Sequence, residues 1–174
     1  MTASAFSDFV KRKTTESRVI DWDAKRDLWL YRLNGLYTQI NGYLKEFVEQ
    51  QQIQITRYEM LLKEDYIGEY LAGFLKIEIG SSIVHLKPIG TLLIGGAGRV
   101  DMEGPGATVR IVLAPSEVDE PHMRVVISNS NGVEQQVDAE VDWIWKIVNY
   151  SPRMRYVLLD ERTFHDALMA AADA

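Results

Sequence analysis

The chain has 174 residues, 47% of them apolar and 25% charged, a globular composition long enough to bury one core without disulfides or metals. With no cysteine, a disulfide framework, a thiolate metal site and a cysteine nucleophile are excluded, and a reducing, cytoplasmic setting is expected. The net charge of −6 is local: residues 1–116 and 143–174 are each balanced, and between Glu117 and Asp142 seven acids face only Arg124, a segment that repels nucleic acid and anionic lipid.

Residues 1–20 show no periodicity and read as a flexible or short helical lead-in to a single domain over 21–174. They also lack the uninterrupted apolar run of a secretory signal. The longest apolar stretch, Ile89–Ala97, carries three glycines and falls far short of the roughly twenty residues that span a bilayer. Neither a membrane span nor a membrane partner is expected.

Asp21 suits a helix cap. After it, Trp29, Leu33, Leu36, Ile40, Leu44 and Phe47 recur every three or four residues, predicting an amphipathic helix of about thirty residues. The pairs Asn34-Gly35 and Asn41-Gly42 are also hairpin signals, yet the unbroken period favours helix. Each glycine then costs up to about 1 kcal/mol relative to alanine. Close approach of another element along the Gly35/Gly42 stripe would compensate. The chain's own sheet would serve, and so would a symmetry-related helix, which makes a homodimer through this stripe an expectation.

After Gln50 the apolar period falls to two. Strands are predicted at Ile53–Thr56, Leu71–Ile79, Ile83–Leu86, Thr91–Ile94, Arg99–Met102, Ala107–Leu113, His122–Ser128, Val133–Val137, Trp143–Val148 and Tyr156–Leu159. Spacers such as Gly80-Ser81-Ser82 and Glu103-Gly104-Pro105-Gly106 are too short for parallel crossovers, so the strands pair antiparallel. Asp160 then caps a short helix, Glu161–Ala172. The fold class is α+β: a long N-terminal helix on a curved, mainly antiparallel sheet of about seven to nine strands, up to a half-barrel, with a C-terminal helix.

Catalytic signatures are weak. The cluster Gly95-Gly96-Ala97-Gly98 is followed by β-rich sequence rather than a helix whose N-terminus holds phosphate, so it reads as a bulge or bend in a curved strand. His85, His122 and His165 have no ligand spacing, and no Gly-x-Ser-x-Gly elbow occurs. No cofactor, metal ligand or catalytic residue is assigned. Trp143 and Trp145, with Val141 and Ile147, share one strand face and read as core, although such a pair can also stack a base or sugar. The preceding acids argue against nucleic acid.

One constellation points to a ligand. With Gly104-Pro105 at the centre of a tight turn, Asp101 faces Thr108 and Arg99 faces Arg110, all on one face, while Val100, Met102, Val109 and Ile111 occupy the other. Opposed arginines repel unless an anion lies beside them. That anion is Asp101, an acid from residues 117–142, a partner, or a bound carboxylate or phosphate. The leading expectation is a non-catalytic binding or interaction module with an anion-recognition site at Arg99, Asp101, Arg110 and His85. The alternatives are an enzyme or carrier of a small anionic ligand, with Asp101 or His85 as acid or base, and an acidic inhibitor or immunity-like protein that binds a basic partner.

Overall fold

A computed structural model describes residues 3–16, 21–91, 97–121 and 142–174. The lead-in is helical, as α1 (Ala3–Glu16). The predicted long helix follows as α2 (Trp22–Glu49), capped by Asp21, whose carboxylate accepts from the Ala24 amide at 2.9 Å. Its apolar stripe is the heart of the core: Trp29, Leu33, Leu36, Ile40 and Leu44 are all buried. The helix ends without a glycine. Gln51 takes the left-handed conformation (φ 58°), and the amides of Gln51 and Gln52 close back on the carbonyls of Val48 and Phe47, a Schellman arrangement that satisfies the last carbonyls.

Seven strands follow: β1 (Ile53–Glu64), β2 (Gly68–Ile79), β3 (Ser82–Gly90), β4 (Gly98–Glu103), β5 (Thr108–Pro115), β6 (Trp143–Asn149) and β7 (Arg155–Leu158). They form one open antiparallel sheet in chain order, each strand paired with its sequence neighbours. The last element is α3 (Glu161–Ala172), where Asp160 and Thr163 form a reciprocal capping box. The architecture is thus α+β as expected. The strands predicted at His122–Ser128 and Val133–Val137 lie outside the described residues, as do Val141 and most of the strand predicted at Thr91–Ile94.

The first hairpin is much longer than its apolar alternation suggested. β1 and β2 pair without interruption from Ile53↔Ile79 to Glu64↔Gly68, yet β2 pairs β3 only between Leu75 and Ile79. Released from β3, the far half of the hairpin coils until its opposite face meets the core. Leu75 and Ile77 are buried on one parity of β2, Tyr70 and Ala72 on the other. That switch of parity hid residues 57–70 from a period-two reading. Tyr37 anchors the switch point by donating to the Gly73 carbonyl at 2.7 Å. Glu64 secures the tip: its carboxylate accepts from the Thr91 amide (2.8 Å), the Thr91 hydroxyl (3.0 Å) and the Tyr70 hydroxyl.

Both α2 and α3 pack on the inner face of the sheet. Phe164, Ala167, Leu168 and Ala171 of α3 join the same core as Leu86, Val100, Met102 and Ile111. The end of α3 presses on the β4–β5 turn, where the Gly106 amide donates to the Ala171 carbonyl at 2.9 Å. A side chain at Gly104 or Gly106 would run into the backbone of α3, so close approach accounts for both glycines in that turn. Among the described residues no helix is long and apolar enough to cross a membrane.

Candidate functional site

The hairpin of β4 and β5 keeps the predicted sorting of faces, but its register is shifted by two residues. Asp101, not Arg99, lies opposite Arg110, and Arg99 lies opposite Val112. The expected opposition of two arginines is therefore not formed. The turn is wider than a two-residue loop, because Gly104 bonds to Ala107 and β5 starts only at Thr108. Arg99 instead forks onto Asp101 two residues along its own strand, Nε to Oδ1 at 2.7 Å and the terminal nitrogen to Oδ2 at 2.6 Å. Asp101 is 6% exposed, and its hydrogen bond holds the Arg99 guanidinium pKa above its usual value.

The neighbouring outer-face charges are engaged in the same way. Lys87, opposite Asp101 on β3, bonds Glu103 at 2.5 Å. Exposed Arg110 donates to the Tyr150 hydroxyl at 2.6 Å and lies 5.5 Å from that ring's centre. His85 is half-buried between Lys76 and Glu103 in the sheet ladder, 6.3 Å from the Phe74 ring. His165 sits on α3, its Nε2 3.2 Å from the Tyr43 carbonyl, and His122 lies outside the described residues. Among the described residues no three His, Asp or Glu side chains group to hold a metal.

A different place sets a cation and an aromatic face side by side at the surface. Between α2 and the start of β6 runs an open groove of about 520 Å³, with Tyr31, Arg32, Gly35 and Thr38 on the helix side and Trp143 and Trp145 on the strand side. Trp145 is core, 8% exposed and tilted against Trp29, whereas Trp143 is half-buried and presents its ring to the Arg32 guanidinium, 5.7 Å away. Arg32 makes no ion pair among the described residues. Burial lowers its pKa, the direction expected when a cation loses water without gaining a counter-charge. At the rim, Asn34 accepts from Arg57 at 2.6 Å through its carbonyl oxygen, which leaves its amide hydrogens for another acceptor.

Gly35 belongs to this groove, and the expected packing of the chain's own sheet on the glycine stripe is absent. A Cβ at Gly35 or Gly42 would meet no atom within 4 Å. Both glycines face outward because the helical period that buries Leu33, Leu36 and Ile40 turns positions 35 and 42 away from the sheet. Gly42→Ala is accordingly expected to raise unfolding free energy by about 0.5–1 kcal/mol in a urea titration. A loss instead would mean that a second surface closes on that stripe.

Sequence reasoning could not find Arg32. It reads as a charged residue beside an apolar stripe, and only folding brings Trp143 over it. The one usable signal was the tryptophan pair, of which a single member proves to be core. Comparison with family models, with curated proteins and with solved structures gives no match for this chain.

Proposed function

We propose that this chain is a non-catalytic binding protein for a small organic anion with a planar or apolar body, seated in the groove between α2 and β6. The observation that carries this reading is Arg32: a partly dehydrated guanidinium, stacked on Trp143, with no counter-ion among the described residues. A carboxylate in the groove would restore to Arg32 the charge-assisted hydrogen bonds that burial removed. Trp143 offers the ligand body a flat apolar face, and the Asn34 amide hydrogens offer hydrogen bonds at the rim. Gly35 keeps the groove open. One cation in the groove of a chain of net charge −6 suits a single carboxylate better than a polyphosphate backbone.

Binding without turnover is favoured because the polar side chains that line the groove, Tyr31, Arg32, Asn34, Thr38 and Gln39, include no carboxylate or imidazole. A cytoplasmic setting belongs to the same proposal and rests on the lack of cysteine. The acidic-partner reading is weaker, since two of its described acids already meet cations, Asp119 with Lys146 at 3.5 Å and Glu120 with Arg155 at 3.9 Å.

Thermal-shift measurements with aromatic and aliphatic carboxylates test the proposal. A compound at a hundred times its dissociation constant adds about 2.7 kcal/mol to stability, and Arg32→Gln should abolish that gain while leaving the unliganded midpoint nearly unchanged. If no carboxylate raises the midpoint, or if Arg32→Gln retains the full response, the groove is not the site.

A further inference from the structure

We infer that the free edge of β1 is a self-association surface, on which a second copy of this chain adds its own β1 antiparallel about a two-fold axis at Tyr58. This inference does not depend on the groove. The sheet has two ends, β1 and β7. The β7 end is four residues long, whereas β1 runs for twelve, contains no proline, and keeps an unbroken register with β2. Among the described residues no backbone hydrogen bond outside the β1–β2 ladder reaches this strand. A long, regular edge with unused amides and carbonyls is the template that chains keeping their sheets apart interrupt with proline, bulges or covering elements. Among the described residues none of these interrupts β1, and beside its edge Tyr58 and Leu61 are 45% and 59% exposed.

Charge selects both the partner and the register. Glu59 is exposed and has no ion pair or hydrogen bond among the described residues. Arg57 likewise meets no acid there; its guanidinium rests on the Asn34 amide oxygen and the Tyr37 ring. Antiparallel strands related by a two-fold axis oppose residues of the same sheet face, so the axis must pass through a residue pair. An axis at Arg57 or at Glu59 sets like charges against each other. An axis at Tyr58 sets Arg57 against Glu59 of the second copy, twice over, and brings Ile55 against Leu61. The same strand edge is thus complementary to itself, which is the condition for a closed dimer rather than an open fibre. The dimer expected from the helix stripe is placed here on the sheet edge.

Because the chain has no cysteine, one introduced thiol reports the register directly. Residues directly opposed across an antiparallel pair lie about 4.5–5.5 Å apart at Cα, within the span of a disulfide. The intact protein is expected to sediment at twice its monomer mass at high concentration, Glu59→Arg at the monomer mass with an unaltered far-ultraviolet spectrum. Oxidised Tyr58→Cys should run as a covalent dimer on a non-reducing gel. Gln54→Cys should not, its two thiols lying roughly 26 Å apart at ~3.3 Å per residue. A monomeric mass for the intact protein overturns the inference and leaves the groove reading untouched. It is overturned equally if Glu59→Arg stays dimeric, or if Tyr58→Cys sediments as a dimer without cross-linking.

Discussion

Trp29→Ala is expected to lower the unfolding free energy by about 3–5 kcal/mol, read from the urea midpoint with little change in slope. Trp29 is 1% exposed and joins three parts of the fold: it projects from α2, tilts against Trp145 of β6 at 6.1 Å between ring centres, and occupies the space where a side chain at Gly98 of β4 would stand. Truncation leaves a cavity that none of these elements can close by a small shift, because each is held by its own ladder or helix. The converse change makes the prediction specific. Gly98→Val forces atoms into the indole and should cost about 1–3 kcal/mol by overpacking. In Trp29→Ala the same valine fills vacated space, so the double variant should be more stable than the sum of the two single losses implies. Strict additivity of the two changes would show that the indole does not occupy that space.

Arg99→Ala is expected to cost about 1–3 kcal/mol and to leave ligand binding alone. The fork on Asp101 is the reason: without it a carboxylate that is 6% exposed loses both of its charge-assisted hydrogen bonds, and a buried charge stripped of its partner is more costly than the pair is valuable. The full buried-pair penalty is not expected, since the Arg99 side chain keeps 23% of its exposure and water reaches the site. Arg99→Ala/Asp101→Ala should recover part of the loss, because no unpaired carboxylate then remains. Arg110→Ala should cost under about 1 kcal/mol, given an exposed cation over an exposed Tyr150 ring. If Arg99→Ala proved neutral in chemical denaturation yet removed a carboxylate-induced thermal shift, the outer face of the sheet, not the groove, would be the anion site.

These two variants mark the boundary between what local patterning reveals and what it cannot. The apolar residues of α2 that bury Trp29 are spaced by the helix itself, so the stripe could be read before any partner was known. The faces of β4 and β5 were also legible, since alternation assigns Asp101 and Arg110 to one side whatever the pairing. Their register was not: it depends on the width of the turn, and the wider turn from Gly104 to Ala107 slides the strands by two residues without moving any side chain to the other face. Arg99 and Arg110 therefore share the face that alternation assigns them without lying opposite each other. Arg57 is a second case. Nothing near it in the chain indicates that it reaches Asn34 on α2, because that contact depends on how the helix lies across the first hairpin.

By itself, the sequence determined the helix, the antiparallel pairing of strands joined by tight turns, the cap at Asp160 and the lack of any thiol chemistry. Each of these follows from side-chain periodicity, turn length or residue type, quantities that act over a few residues. Only the tertiary structure decided the coil of the β1–β2 hairpin, the pairing of Arg99 with Asp101, and the meeting of Arg32 with Trp143. Those depend on where separate elements come to rest, which is set by the packing of the whole core around Trp29, Leu36 and Ile77 rather than by any one segment.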